Sequence, residues 1–497
     1  MPDKNLSMEE LFNLALQEHK KNNFNIAKKY YEKILESNPN EVGIYNNLGT
    51  ISIKLEEYEK AVYCFKKAIS LDSNNTIFYN NLGVALKHLS KLDEAAKAQA
   101  KAIEIDADNS DAHNNLGIIY RELNKYDQAI ASYEKAISIN SKHADAHSNI
   151  GIILKEIGKH SKAIEYYEKA IEINKNHIDA HYNLGHILLL CSNFEKGFEE
   201  YEWRLKQALK HYNDLKLITS KEWNGEDLKN KKILILSEQG IGDIIQFSRY
   251  LYILKNNYFA DVIFKTYKNL SHLYPEDELK IISNEDSNPD HDYHKYLLSL
   301  PGVLFKKEKK IPKEINYIKQ NHEIYSKWKG KLSHIKGLKI GINWQGNKNY
   351  KYDQARSIPL HFFGQLFDLK GVNFINLQKG PGVQQINSFK FKDKLYDFSN
   401  QADNNLNAFE DTIGILKNLD LIISSDTALP HLSATLGLKT WMMLPFSPDW
   451  RFFLNTNLSP WYEQMKLYRQ NKCDDWNEVF MSVKKDLINE FKLEEYH

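Results

Sequence analysis

Along the first two hundred positions, apolar and small residues alternate with polar ones at helical spacing, and the whole pattern returns every 34 residues. The glycines Gly49, Gly83, Gly117, Gly151 and Gly185 mark it, closing phrases such as "YNNLG" (45–49), "HNNLG" (113–117) and "HYNLG" (181–185). One period earlier, Ala15 in "FNLAL" holds the same place in a degenerate first copy. Twelve residues after each marker stands a small residue: Ala27, Ala61, Ala95, Ala129, Ala163 and Gly197. Four further on is an aromatic (Tyr31, Phe65, Tyr133, Tyr167, Tyr201), with Gln99 the exception. Stretches such as "AIEYYEKAIEI" (163–173) have the period of an amphipathic helix. Turns such as "DSNN" and "DADNS" separate the copies. The pattern predicts helical hairpins. Small residues let two antiparallel helices approach, and the aromatics fill the gap to the neighbouring pair.

These hairpins resemble the tetratricopeptide repeat, with six copies over residues 8–211. The resemblance implies an all-α superhelix whose groove binds a peptide or protein. Asn13, Asn47, Asn81, Asn115, Asn149 and Asn183 occupy one column of the repeat, on the first helix and facing the groove in the family's geometry. An amide both donates and accepts, so such a ladder can bind an extended backbone without reading side chains. It is similar to the asparagine ladder of protein O-linked N-acetylglucosamine transferases. The competing reading is that asparagine suits this repeat subtype locally. His113, His147 and His181 also recur, at an inter-helix packing position rather than as metal ligands.

After "GFEEYEWRLKQ" (197–207) the period changes. A polar linker over 212–230 leads to short apolar runs: "ILILS" (233–237), "DVIFKT" (261–266), "LKIGINW" (338–344), "VNFINLQ" (372–378), "DLIISSD" (420–426) and "KTWMMLP" (439–445). Near-continuous apolar strands alternating with helical stretches predict parallel sheets covered on both faces. A lysine-rich segment, 306–337, divides two groups, so we expect two Rossmann-like domains, 231–325 and 336–480, and a tail over 481–497. Ligands of such sheets sit at the carboxyl ends of the strands.

Composition narrows the classes. The chain has 497 residues, 26% of them charged, with Lys+Arg 66 against Asp+Glu 65 and a formal charge of +1. No basic stripe calls for nucleic acid. The start, "MPDKNLSMEELF", reads as no signal peptide, and no apolar run has membrane-spanning length, so direct membrane insertion is not expected. Three scattered cysteines, Cys64, Cys191 and Cys473, form neither a disulfide framework nor a zinc site. The expected setting is the cytoplasm.

The chemistry begins at "LSEQGIGDIIQFSRY" (236–250). Gly240 and Gly242 follow a strand, but Ile245 stands where a dinucleotide loop wants its third glycine, and no Lys-Ser/Thr follows for a P-loop. Neither HExxH nor G-x-S-x-G occurs. "DAD" (106–108) is a repeat turn and "DHDYH" (290–294) a solvated loop, so no metal is expected. What remains is Asp243 at a strand-to-helix turn shaped by the two glycines. There it is either a base for a hydroxyl nucleophile or a helix cap. Downstream, Asp426-Thr427-Ala428 stand at a strand tip, with His431 one turn into the next helix. A helix start there offers an anion site; the plainer alternative is an ordinary buried strand and helix. Between them, "GINWQGNKNYKYDQARSIPL" (341–360) supplies Arg356 as a clamp for phosphate oxygens. Trp344, Trp441, Trp450 and Trp461 read as core or cleft lining.

Residues 231–480 resemble the ADP-heptose heptosyltransferases (glycosyltransferase family 9) and their relatives. The repeats-first layout is similar to protein O-GlcNAc transferases, and the tail motifs "SPDWRFF" (447–453) and "SPWYEQMKLYRQ" (459–470) to bacterial repeat-plus-transferase proteins. The resemblance implies a glycosyltransferase B fold, with "GIGD" placing Asp243 as general base. It implies that Asp426, Thr427 and His431, matching D-[ST]-G-x-x-H, hold a nucleotide-sugar, with Ala428 replacing the usual glycine. Arg356 matches the family's basic residue before a helix. The expectation is an inverting, metal-independent transfer of sugar to an acceptor hydroxyl on a recruited protein, with the nucleotide-sugar as co-substrate and no cofactor. The alternatives are a non-catalytic repeat scaffold, or a lipid- or glycan-directed transferase tethered by its repeats.

Overall fold

The computed structural model describes residues 6–208, 218–348 and 353–495. The ends of the expected repeat region (209–211) and tail (496–497), part of the linker (212–217), and positions 349–352 of the Arg356 loop lie outside them. The chain divides into two compact units, Met1–Ala180 and His181–His497.

The first unit is built of antiparallel hairpins: α1 (Met8–Lys20) with α2 (Phe24–Ser37), α3 (Val42–Lys54) with α4 (Tyr58–Leu71), α5 (Thr76–His88) with α6 (Leu92–Ile105), α7 (Ser110–Glu122) with α8 (Tyr126–Ile139), and α9 (Ala144–Glu156) with α10 (His160–Ile173). The marker glycines are sites of close approach. A Cβ on Gly49 would lie 2.6 Å from Phe65, on Gly117 2.5 Å from Tyr133, and on Gly151 2.7 Å from Tyr167. Each aromatic thus packs first on the glycine of its own hairpin. Phe65 also joins Leu82, Ala85 and Leu86 of the next, which continues the core from hairpin to hairpin. Gln99 fills the aromatic position by fully burying its side chain and donating Nε2–H to the Asn80 carbonyl at 2.9 Å. Each hairpin turns through one left-handed residue: Asn22, Glu56, Ser90, Asn124 and Gly158. Only Gly158 among these takes that conformation without a side-chain cost.

The sixth hairpin, α11 (Ile178–Leu190) and α12 (Phe194–Tyr201), falls almost wholly in the second unit and continues into α13 (Trp203–Ala208). Its residues pack on later elements of that unit. A Cβ on Gly302 would meet Phe198 at 3.0 Å, and the buried Arg204 pairs with Glu238 at 2.8 Å and Glu202 at 2.7 Å.

The rest of the second unit holds two parallel sheets. The first has strand order β1-β5-β2-β3-β4, from β1 (Lys221–Glu222), β2 (Lys232–Leu236), β3 (Asp261–Thr266), β4 (Lys280–Ser283) and β5 (Tyr293–Tyr296). Strand β1 lies within the span read as a linker; its main-chain pairing to β5 was not visible as an apolar run. The second sheet has order β11-β10-β9-β6-β7-β8, from β6 (Leu338–Asn343), β7 (Val372–Asn376), β8 (Leu395–Asp397), β9 (Leu421–Ser425), β10 (Thr440–Leu444) and β11 (Met465–Arg469). Strands β9 and β10 are buried along their whole length, as strands covered on both faces must be. Helices α14 (Ile241–Phe247), α15 (Arg249–Tyr258), α16 (Leu300–Glu308), α17 (His322–Leu332), α18 (Asp353–Arg356), α19 (Glu410–Leu416), α20 (Ala428–Thr435) and α21 (Asn477–Phe491) complete the chain. Among the described residues, no helix is long and apolar enough to cross a membrane.

Candidate functional site

Asp243 stands in the first turn of α14, just past the carboxyl end of β2. One oxygen, Oδ2, accepts the Gly240 N–H at 3.1 Å. The other, Oδ1, accepts from Arg451 Nη1 at 2.5 Å. The capping reading describes one oxygen, and the other is held in an ion pair with Arg451. The glycines do not bend the turn: Gly240 has φ −83, and the left-handed residue is Gln239 at φ 60. Gly242 instead allows α14 to press on α20. A Cβ there would lie 3.2 Å from Ala428 Cα and 3.4 Å from His431 Cδ2.

That contact brings the two strand-end motifs together. Thr427 caps α20, its hydroxyl accepting the Leu429 N–H at 3.4 Å and donating to Asn343 Oδ1 at 3.0 Å. His431, 1% exposed, has Nε2 4.0 Å from Asp426 Oδ1 and Nδ1 3.5 Å from the Tyr462 hydroxyl. Its Nε2 has no hydrogen-bond partner among the described residues. Arg356 ends α18, with Nε donating to Asp353 at 3.1 Å, and its charge acts on Asp243, Asp426 and His431.

The electrostatics follow from burial around one cation. Burial pushes the Asp243 carboxyl up, against the pull of Arg451. Burial raises Asp426 to about 6, again opposed by Arg451. Burial and then Arg451 hold His431 well below the usual imidazole range, so it is neutral. Burial pushes Asp449 up, but the charges of Arg451 and His186 and the hydrogen bonds from Arg451 together hold it below the usual carboxylate range. A neutral imidazole, two acids with raised protonation and a buried guanidinium can receive an anion and a proton in one place.

Sequence reasoning missed Arg451, Asp449 and Asn343. The first two lie in "SPDWRFF", where a charged pair inside an aromatic run was the available signal. It also missed Tyr201 of the sixth hairpin, whose hydroxyl lies 3.2 Å from Gln239 Nε2, just before Gly240. His186 of α11 is close enough for its charge to lower Asp449. The four tryptophans are buried at 3% exposure or less and serve as packing. Among the described residues, no cluster of three or more His, Cys, Asp or Glu could hold a metal.

The asparagine column is tied from repeat to repeat. Asn81 donates to Asn46 at 3.1 Å, Asn115 to Asn80 at 2.8 Å and Asn149 to Asn114 at 3.0 Å. Each of these column amides thus spends an N–H on the residue preceding the column in the previous copy. Asn47 lines a cavity of about 440 Å³ with Met8, Phe12, Ile34 and Ile44, while Asn13 is exposed. Asn183 stands on α11 in the second unit. Of the histidine column, His113 bonds the Ala107 carbonyl at 3.1 Å, His147 is buried, and His181 stacks on Trp203 at 3.8 Å. A second cavity, of about 480 Å³, is lined by His272, Lys319, His322, Glu323 and Glu410, and by none of the motif residues.

Family models match the first part of the chain. Tetratricopeptide-repeat families match residues 11–41, 30–63, 51–90, 75–142, 110–176 and 166–199. Protein FlbA of Caulobacter vibrioides is 23% identical over 51% of this chain, and the chain spans 46% of that relative's length. The crystal structure of MamA is 29% identical over 32% of this chain and 94% of its own, with a TM-score of 0.30. That of YrrB, described as a TPR protein with an unusual peptide-binding site, is 24% identical over 36% and 93%, with a TM-score of 0.28. Residues 11–199 are tetratricopeptide repeats, a scaffold of the protein-interaction type, set ahead of a region of parallel sheets.

Proposed function

We propose that the second unit is a glycosyltransferase of the B type, moving a sugar from a nucleotide-sugar to an acceptor hydroxyl by direct, inverting, metal-independent displacement. One observation carries this reading: α14 and α20, from two motifs at the strand ends of two different parallel sheets, pack so closely that a Cβ on Gly242 would lie 3.2 Å from Ala428 Cα, and the charge of Arg451 acts there on Asp243, Asp426 and His431 together. Asp243 takes the acceptor proton. The start of α20, His431 and Arg356 meet the leaving diphosphate. The repeats supply a protein acceptor through the groove, in the cytoplasm.

The test is a transfer and hydrolysis assay with ADP-, GDP-, UDP- and CMP-sugars. Wild type turns over one of them, and Asp243→Asn loses roughly 100-fold or more while still binding the donor. Full turnover in Asp243→Asn would remove that residue from the base role. If no donor stabilises the protein, the scaffold reading replaces the enzyme.

A further inference from the structure

Arg451 lies in the segment after β10, and two of its nitrogens are committed to carboxylates. Nε donates to Asp449 Oδ1 at 2.7 Å, and the same oxygen accepts the Arg451 backbone N–H at 3.0 Å. That pairing is a closed local loop and travels with the arginine. The second, from Nη1 to Asp243, joins residues 208 positions apart, one in the first turn of α14 after β2 and the other in the segment after β10. Nη2 has no hydrogen-bond partner among the described residues, although the residue is only 9% exposed. Asp426 lies in the same field.

A guanidinium binds a phosphate best through two parallel N–H groups. The terminal edge of Arg451, Nη1 with Nη2, is the edge left after Asp449 has taken Nε, and Asp243 occupies half of it. An anion seated there competes with Asp243 for Nη1. We propose that Arg451 is both the ligand of the donor diphosphate and a latch on Asp243, so that the diphosphate, on taking the Nη1–Nη2 edge, releases the Asp243 carboxylate toward the acceptor hydroxyl. This rests on the glycosyltransferase reading above.

The chemical step balances without a co-reactant. The acceptor O–H proton passes to Asp243, the acceptor oxygen forms the bond to the sugar's anomeric carbon, and the anomeric C–O bond breaks with its electron pair on the departing diphosphate. Arg451 exchanges no proton. It carries a charge from the base to the leaving group, so the base is at full strength only with the donor in place.

Two opposite changes in affinity test this on the full chain, by calorimetric titration with ADP, GDP, UDP and CDP. Arg451→Gln weakens the preferred diphosphate by roughly 10- to 100-fold, the range for a lost charge-assisted pair, and Arg451→Lys falls between. Asp243→Asn removes the competitor and tightens binding, by roughly 3- to 10-fold. In the Arg451→Gln background the Asp243→Asn gain disappears. An arginine that merely ties two loops together predicts no gain in Asp243→Asn, and neither does a role for Asp243 by charge repulsion alone predict loss of that gain in the double variant. Either result overturns the latch. Should Arg451→Gln fail to fold, Arg451→Lys with Asp243→Asn decides the matter. If wild type binds none of the four, the glycosyltransferase reading itself falls.

Discussion

In the first unit, the tight contacts join residues sixteen positions apart, Gly49 to Phe65 and Gly117 to Tyr133, inside one hairpin. In the second, the defining contacts cross most of the chain: Asp243 to Arg451, and Arg249 to the Trp461 carbonyl, 212 positions away. The first arrangement repeats a similar local solution, so an error reaches its own hairpin and the next one packed on it. The second concentrates buried charge in one place, where each group depends on partners set by other elements.

The largest way to break that contrast is at the join, within the second unit, of the sixth hairpin's extension to the first sheet. Arg204, 4% exposed, holds Glu238 and Glu202 and donates to Ser299 at 2.6 Å. Arg204→Met leaves two acids uncompensated and costs the second unit about 3–5 kcal/mol. Chemical denaturation followed by tryptophan fluorescence reads this, since the chain's eight tryptophans, Trp203 onward, all lie in that unit. A loss below about 1 kcal/mol would refute the importance given to the join.

In the repeats the cost is smaller and positional. Gly117→Ala drives a Cβ to 2.5 Å from the Tyr133 ring and costs about 1–3 kcal/mol. Gly43→Ala, in α3 with nothing within 4 Å, gains about 0.5–1 kcal/mol from helix propensity. Equal effects at the two glycines would show that the hairpin contact does not govern the first unit.

A pH series separates the units further. Folding raises Asp426 from 3.8 to about 6, so across that window the folded state holds a proton that the unfolded chain releases. Stability from this group is therefore present below the lower value and falls as pH rises through the upper one. Asp426→Asn removes the loss, and the variant gains on wild type as pH rises from 4 to 6. The neutral His431 acts in the other direction, costing stability below its unfolded pKa, and cancels in the difference. A pH-independent difference between the two proteins would contradict the buried-charge account. A last effect is at a hairpin turn: Glu56→Gly relieves a left-handed residue at φ 60 and stabilises by about 1 kcal/mol, read as a rise in the midpoint of helix melting.

The same contrast explains what the sequence disclosed. Periodicity exposed the hairpins down to single glycines because each contact recurs at a fixed offset. Six parallel strands, β2, β3, β6, β7, β9 and β10, were visible as apolar runs; β1, β4, β5, β8 and β11 were not, being short or rich in polar residues, and Tyr293 and His294 of the "DHDYH" stretch read as a loop begin β5. Asp243, Asp426 and His431 stood out as polar groups at strand ends. Arg451 did not, since its meaning comes from an acid 208 residues away, and no local pattern encodes that pairing. Gly242 was read as a turn residue, although its lack of a Cβ is what leaves room for Ala428 and His431, which only the packing of α14 on α20 reveals.

The most direct test of the central claim is a crystal structure of the full chain with its preferred nucleoside diphosphate. The account predicts phosphate oxygens within hydrogen-bond distance of Arg451 and the start of α20, with Asp243 parted from Arg451. A diphosphate seated instead in the cavity beside His272 and Glu410, with the Asp243–Arg451 pair intact, would contradict it.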